Sequence, residues 1–420
     1  MNVLIIGGGG REHALAHAIT KSPLLNKLIV SPGNPGIAKL ATCITCADEP
    51  ALFDLIETAA IDLVVIGPEA PLVDGLADRL RLRGIRVFGP SQQAAMLEGS
   101  KAFARDFCDR HDIPQPAWQR FNNSTEACDF IRGHAADGHV IKADGLAAGK
   151  GVVVADTKDE AIAAITSMLD DAQFGHAGAS IVIEERITGI EASLFAMSDG
   201  KHAMMIGTAQ DYKRAGDGDT GPNTGGMGAV SPAPALTPHL LDTAWRDIVE
   251  KVISGMAQDN MPYQGFLYTG LMMTADGPKV IEFNCRFGDP EAEVILPRLK
   301  SDLLTALMAA TESGLAHMDL RFHDGAAVTV IMANGGYPGP IKAGGVITGL
   351  DAATANDGAH AAYVFHAGTS QKDDDIIATG GRVLAVTALG HDQAEARHNA
   401  YQQVAMIDWP GVYYRKDIAR

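Results

Sequence analysis

Through its first hundred residues the chain alternates short apolar runs (VLII from Val3, LIV from Leu28, LVVI from Leu63, VF from Val87) with amphipathic stretches, the first from about Glu12. That alternation predicts a parallel sheet with helices on both faces, because parallel strands need long crossover connections and helices are the usual ones. Three runs end in loops: GGGGREH after Ile6, SPGNPG after Val30 and GPEAPL after Ile66. Ligands of open α/β sheets sit beyond the carboxyl ends of the strands, so these loops are expected to line one crevice. Gly7 to Gly10 followed by Arg11 invite a dinucleotide reading, but the fingerprint is incomplete. Counting from Gly8, the third glycine position holds His13, and Ser31, Pro32 and Gly33 stand where an acidic residue would close the second strand. A nicotinamide cofactor is therefore disfavoured. A single phosphate held by backbone amides and Arg11 remains open, as does a plain strand-to-helix turn.

At 420 residues the chain exceeds one core and divides into about two to four domains. Its 34 basic and 51 acidic residues give a net charge of −17, which disfavours nucleic acid or an anionic membrane as partner. No apolar run reaches the ~18 residues of a membrane span, and Met1 to Ile6 lacks the basic flank of a signal segment, so a cytoplasmic enzyme is expected. Five cysteines form no disulfide framework. Cys43 and Cys46 make a C-x-x-C, but no second pair accompanies it, so coincidence is favoured over a metal or redox site.

Beyond a linker at Ile113 to Pro116, the strand HVIKAD places Lys142 among apolar neighbours. The loop from Asp144 to Gly151 follows, with Gly145, Gly149, Gly151 and Lys150, a composition suited to wrapping amides round a triphosphate. It is not a Walker loop. Glu184, Glu185 and Glu191 then offer carboxylates for ribose hydroxyls, or are surface charge. Asp211 to Pro232 carries six glycines and few apolar residues; Lys213 and Arg214 at its start favour a substrate-contacting lid over a disordered segment. In KVIEFNCRFGDPE, Lys279 to Glu291, alternation is expected to put Glu282 and Asn284 on one face and Ile281 and Phe283 in the core. One carboxylate and one amide oxygen suit Mg²⁺, which takes further ligands from water and phosphates. An ordinary half-buried strand would show the same Glu-x-Asn, but Arg286, Asp289, Pro290 and Glu291 directly after it shift the balance toward a site. From Asp324 a third unit of short strands and glycine turns begins, with a final helix from about Gln393 to Met406.

The order of Lys142, glycine loop, acidic hinge and Glu282-x-Asn284 resembles the ATP-grasp superfamily. Within it, the chain is similar along nearly its whole length to the glycinamide ribonucleotide synthetase (phosphoribosylamine-glycine ligase) family. The motifs are GGREHA (Gly9 to Ala14), VIGPEAPL (Val65 to Leu72), LEGSKAF (Leu97 to Phe103), IKADGLAAGKGV (Ile141 to Val152), DTGPNTGGMGA (Asp219 to Ala229), EFNCRFGDPE (Glu282 to Glu291) and ATGGRV (Ala378 to Val383). The resemblance implies an α/β and α+β multidomain chain: a Rossmann-like pre-ATP-grasp domain at 1–99, a two-lobed ATP-grasp core at 100–322 with a lid lobe at about 117–190, and a small C-terminal domain at 323–420. It implies that ATP, glycine and 5-phosphoribosylamine give glycinamide ribonucleotide, ADP and phosphate through glycyl phosphate, in purine synthesis. ATP and Mg²⁺ are the implied cofactors, with Mn²⁺ as a substitute.

By that resemblance Lys101 and Lys142, with Gly149 and Lys150, meet the ATP phosphates. Glu184, Glu185 and Ile187 meet adenine, Glu191 holds ribose, and Glu282 with Asn284 holds the metal. The sugar phosphate falls to Gly9, Gly10, Arg11, Gly33 and Asn34, with Glu69 nearby. Asp211, Lys213, Arg214, Asn223, Gly225 and Gly226 belong to the substrate-contacting lid. Lys142, Arg286 and Asp289 are the expected catalytic residues, the last two pairing with glycine's carboxylate and ammonium. Two departures from the family stand out: Gly8, where relatives often have a polar residue and which would loosen the phosphate loop, and Ala292 and Glu293, where relatives usually show a small residue and then glutamine. Many other grasp enzymes supply a further acidic metal ligand from the preceding strand, whereas Thr269 to Met273 offers none, as is characteristic of this family and unlike its sister enzymes. A monomer, or a weak homodimer, is expected. A different grasp ligase is disfavoured by the lid and first-domain motifs. A nicotinamide oxidoreductase leaves Lys142 and Glu282-x-Asn284 unexplained, and retention of the phosphate and metal positions argues against a regulator that has lost catalysis.

Overall fold

The structure, a computed structural model, describes residues 1–147, 151–171, 179–353 and 361–420. Strands β1 (Asn2–Gly7), β2 (Lys27–Pro32), β3 (Thr42–Cys43), β4 (Leu63–Ile66) and β5 (Val87–Phe88) form a parallel sheet in the order β3-β2-β1-β4-β5. Val3, Leu4, Ile5, Val64 and Val65 are all buried, as both faces of a covered parallel sheet require. Helices α1 (Gly10–Ile19), α2 (Glu49–Thr58), α3 (Glu69–Val73), α4 (Leu76–Leu82) and α5 (Gln92–Gly99) connect and flank it. The strand order reverses between β1 and β4, so α1 and α3 both start at the switch point, the place where open α/β sheets bind their ligands. Helix α1 begins two residues ahead of the expected Glu12, at the end of the glycine run.

After α6 (Lys101–Arg110), a small lobe is built from β6 (Trp118–Phe121), α7 (Ser124–Gly133), β7 (His139–Ala143), β8 (Val152–Ala155), α8 (Lys158–Leu169) and β9 (Ile181–Glu185). Its antiparallel sheet runs β6-β9-β7-β8 and buries Ile131, Ile141, Ile165 and Ile183 against the two helices. The main sheet joins β10 (Ile190–Asp199), β11 (Ala203–Asp211), β14 (Gly228–Ser231), β15 (Gln264–Thr274), β16 (Gly277–Asn284), β17 (Ala326–Asn334), β19 (Ala362–His366) and β22 (Arg382–Gly390) in the order β16-β15-β10-β11-β14-β17-β22-β19, with β23 (Val412–Tyr413) on β17. A small three-stranded sheet, β18 (Gly345–Val346), β20 (Thr369–Lys372) and β21 (Asp375–Ala378), lies beside it. Helices α9 (Pro238–Ala244), α10 (Glu250–Gln258), α11 (Glu291–Ile295), α12 (Leu303–Thr311) and α13 (Gln393–Val404) complete the layers. One π turn, Trp245–Val249, separates α9 from α10.

Three expectations change. The unit starting near Asp324 contributes its longest strands to the main sheet: β17 pairs antiparallel with β14, Gly228 opposite Val330. Within β16 alternation breaks. Gly270 faces Glu282 while Leu271 faces Val280, so Ile281 is the extra residue of a β-bulge, and Val280 and Phe283 rather than Ile281 enter the core. The stretch 211–232 is no long free loop. It holds the hairpin β12 (Arg214–Gly216) and β13 (Thr220–Asn223), then β14, and it is docked on the chain's C-terminus. Tyr413 Oη donates to Ala215 O at 2.6 Å, and Arg415 donates to Arg214 O at 3.1 Å and to Asp219 Oδ1 at 2.7 Å.

Candidate functional site

The bulge in β16 lies where three buried charged side chains meet. It turns the Ile281 carbonyl out of the ladder, where it accepts from Lys142 Nζ at 2.7 Å and from Arg105 Nη2 at 2.7 Å. Glu184 closes the group, with Lys142 at 2.8 Å and Arg105 at 2.7 Å. All three charged side chains are buried, so strand β7, helix α6 and strand β9 meet β16 through one ion-paired cluster. Burial lowers the Lys142 pKa against the pull of Glu184. For Glu184 burial acts upward, but Lys142 and Arg105 outweigh it and hold its pKa below the ordinary carboxylate value. Glu184 is thus neither surface charge nor open to ribose; its carboxylate is already shared between two cations. Glu185, next along β9, is exposed and lines an open groove of ≈ 720 Å³ with Trp118 and Lys279, while Ile187 lies half-buried in the connection to β10. That groove includes none of Lys101, Lys142, Glu282 or Asn284.

Glu282 faces Lys213 Nζ at 3.5 Å, and Lys213 also meets Glu191 at 2.9 Å. Burial would raise the Glu282 pKa, but Lys213, Lys142, Lys101 and Arg286 outweigh it and bring it down to about 2. Burial would likewise lower that of Lys213, but Asp211, Tyr268, Glu282 and Glu191 push it well above the usual value. Asn284 sits two residues on, its amide oriented so that Nδ2 donates to Phe283 O at 2.9 Å and Glu98 Oε1 at 3.1 Å, which turns the amide oxygen away from those acceptors. An ionised carboxylate and an amide oxygen fit a hard divalent cation, and among the described residues no cluster of three or more His, Cys, Asp or Glu offers a fuller cage. Lys101, at the start of α6, donates to Gly145 O at 3.1 Å. Gly149 and Lys150 lie outside the described residues.

The loops of the first sheet meet this corner at the turn after β16. Arg286 pairs with Glu69 at 3.0 Å and with Glu98 at 3.1 Å. Burial opposes its charge, but Glu98 and Glu69 outweigh burial and raise its pKa. Asp289 pairs with Arg382 of β22 at 3.1 Å, and the same arginine donates to the carbonyls of Gly225 and Asp289. The Gly225–Gly226 turn is thereby held against the Asp289–Pro290 segment. Arg286 and Asp289, expected to grip glycine, therefore each hold a protein partner here. Arg11 pairs with Glu12 at 2.6 Å and reaches Phe287 O at 3.3 Å, while Glu12 also takes the Gly9 amide at 2.7 Å.

Other expectations need correction. The Asn34 side-chain amide is spent on Gly8 O at 3.0 Å, His366 O at 2.8 Å and the Ile37 amide at 2.9 Å. It is a tie between the first loop, Gly33's loop and β19, with little left for substrate. Arg214 and Asn223 face each other across the exposed hairpin, where Arg214 donates to Gly221 O at 2.8 Å, so of that segment Lys213 is the cation that reaches Glu282. Gly8 tightens the first loop, since a Cβ there would stand 2.6 Å from Gly33 O. Sequence reasoning missed Arg105, Glu98 and Arg382. Glu98 and Arg382 lie inside the quoted motifs LEGSKAF and ATGGRV; Arg105 belongs to no motif, and only the fold brings it to Glu184.

Comparison with known proteins covers the chain from end to end. The phosphoribosylglycinamide synthetase N domain matches residues 1–98, its ATP-grasp (A) domain 99–292 and its C domain 327–420. The chain is 52% identical over 420 residues to phosphoribosylamine-glycine ligase of Brucella melitensis biotype 1, covering 100% of this chain and 97% of that one. It is 50% identical over 424 residues to the ligase of the same name from Escherichia coli K12, covering 100% and 98%. A crystal structure of phosphoribosylamine-glycine ligase from Thermotoga maritima superposes with a TM-score of 0.87 at 32% identity, over 100% of both chains. The biotin carboxylase domain of a Hydrogenobacter thermophilus 2-oxoglutarate carboxylase, at TM-score 0.73 and 15% identity over 98% of this chain and 91% of that one, shares the fold.

Proposed function

The chain belongs to the phosphoribosylglycinamide synthetase family, and from that premise we infer that it is an ATP-dependent ligase joining glycine to 5-phosphoribosylamine, with glycinamide ribonucleotide, ADP and phosphate as products, in purine synthesis. The carrying observation is identity of 50% to a ligase of that name over 100% of this chain, with all three family domains in order.

Glycine's carboxylate lacks a leaving group. We propose that its oxygen attacks the γ-phosphorus of ATP, the bond to the ADP oxygen breaks, and glycyl phosphate forms. The amine nitrogen of phosphoribosylamine then attacks the acyl carbon, the carbon–oxygen bond to phosphate breaks, and the nitrogen gives up a proton. Lys142 and Lys101 would balance charge on the phosphates. Lys142 Nζ holds Ile281 O and Glu184, which leaves its third N–H for a phosphate oxygen, and Arg105 keeps Glu184 paired as well. Glu282 and Asn284 would hold Mg²⁺, or Mn²⁺ in its place, which when bound polarises phosphoryl oxygens as a Lewis acid. Arg286 would face the glycine carboxylate and Asp289 its ammonium, the latter on exchanging Arg382 for the ligand. The sugar phosphate would lie at Gly9, Gly10 and Arg11. In this division of labour residues 1–99 hold the sugar phosphate, 100–322 hold ATP and glycine, and 323–420 supply Arg382. We place the reaction in the cytoplasm, in a monomer or weak homodimer.

Purified protein given ATP, Mg²⁺, glycine and phosphoribosylamine should form ADP and one new amide, and should form no amide when any substrate is left out. Amide formation without glycine, or none with everything present, would sink the reading.

A further inference from the structure

The N-terminus of α1 is crowded with carboxyl groups. Glu12 Oε2 takes the Gly9 amide at 2.7 Å, a Cβ on Gly9 would lie 3.7 Å from Asp289 Oδ2, and a Cβ on Gly10 would collide with Glu293 Oε1. Two arginines serve these three acids. Arg11 pairs with Glu12 at 2.6 Å and Arg382 with Asp289 at 3.1 Å. Glu293, in α11, receives neither. It is 1% exposed, and among the described residues neither of its side-chain oxygens has a hydrogen-bond partner. Its main-chain carbonyl accepts from Thr387 Oγ1 at 2.9 Å. The charged groups facing it are Asp289 from the preceding turn, Arg382 from β22 and Arg11 from α1. Burial first, and Asp289 next, push its pKa well above the ordinary range against the two arginines. A neutral carboxyl carries an O–H donor, and a buried donor with no acceptor is costly until one arrives.

We propose that Glu293 is a positioning residue for the sugar substrate, donating a hydrogen bond as a neutral acid to an oxygen of the phosphate ester bound at the start of α1. The inference rests on the assignment of the sugar phosphate to Gly9, Gly10 and Arg11. Ionised, Glu293 would stand against both Asp289 and a phosphate dianion, so affinity for the phosphate falls as pH rises. A glutamine at 293 would present an N–H donor at every pH.

The test is calorimetric titration of ribose 5-phosphate into wild type, Glu293→Gln and Arg11→Ala from neutral to alkaline pH, with ribose as the control lacking phosphate. Wild type should lose at least about tenfold in affinity towards alkaline pH, a difference of about 1.4 kcal/mol. Glu293→Gln should match it at neutral pH and stay flat, and Arg11→Ala should bind weakly throughout. An Arg11→Ala protein that binds like wild type removes the phosphate from α1, and both readings fall. A weakened Arg11→Ala with a Glu293→Gln that keeps the alkaline loss leaves the site standing and overturns the role of Glu293 alone. Infrared difference spectra between wild type and Glu293→Gln at neutral pH should show the carbonyl band of a protonated carboxyl; its absence overturns the role as well.

Discussion

Lys142 and Glu282 stand at two ends of one electrostatic arrangement. Lys142 is a buried amine leaning on a carboxylate and a bulge carbonyl, and Glu282 is a carboxylate held ionised by four cations. Removing either charge strips stabilisation from phosphoryl transfer, so Lys142→Ala and Glu282→Gln should each lower kcat by at least about tenfold. Wild-type turnover in either variant removes that residue from the chemistry. Glu293 gives a stability prediction with a defined sign. Its folded pKa lies above the unfolded value, so between the two the unfolded chain has released the proton that the folded chain keeps. Its contribution is fully present below the unfolded pKa and is eroded as pH rises towards the folded one. Glu293→Gln should therefore have the higher Tm at neutral pH, with the gap closing below about pH 4. A gap that stays constant from acid to neutral pH would contradict the neutral acid. At this scale much was legible from sequence. The sequence places Glu282, Asn284, Lys142 and Arg286 at one site as an expectation, and the structure brings Lys142 and Arg286 close enough to Glu282 to lower its pKa. What it adds is that Glu184, Arg286 and Asp289 are each already paired, because partners such as Arg105 and Arg382 come from distant parts of the chain.

The elements show where local pattern stops being informative. The six glycines between Asp211 and Pro232 read as a long loop serving as a substrate-contacting lid, yet the segment contains a hairpin. It is pinned by Tyr413, Arg415 and Asp417, roughly two hundred residues away, and Asp417 accepts the Gly218 amide at 2.7 Å. Arg415 is fully buried, with Asp417 and Asp219 both on its guanidinium. Arg415→Ala should destabilise the protein by about 2–4 kcal/mol and speed amide exchange through Arg214 to Asn223, as read by denaturant titration and hydrogen exchange. Unchanged exchange there would mean that the hairpin is held by other contacts. The bulge at Ile281 was illegible for a related reason. Period-two alternation assumes an unbroken ladder, and only the pairing with β15 reveals the extra residue.

At the scale of the whole molecule, the alternation of the first hundred residues predicts the parallel sheet that the structure contains. The end of the chain was harder to place, because its longest strands serve a sheet begun by β10 and β11. Through β17 on β14, and through Arg382 on Asp289 and the Gly225–Gly226 turn, the last quarter of the chain is built into the main sheet and the Asp289 turn. In the proposed reaction, the loops of the first sheet, the small lobe with Lys142 and the main sheet with Glu282 together let one carboxylate meet ATP and then an amine. That account requires oxygen to pass from glycine to phosphate, since the carbon–oxygen bond that breaks on amide formation leaves a carboxylate oxygen on phosphorus. Turnover of glycine labelled with oxygen-18 in its carboxylate, followed by mass analysis of the released phosphate, tests it most directly. The account predicts one labelled oxygen in each phosphate formed; phosphate carrying no label while labelled amide accumulates would contradict it.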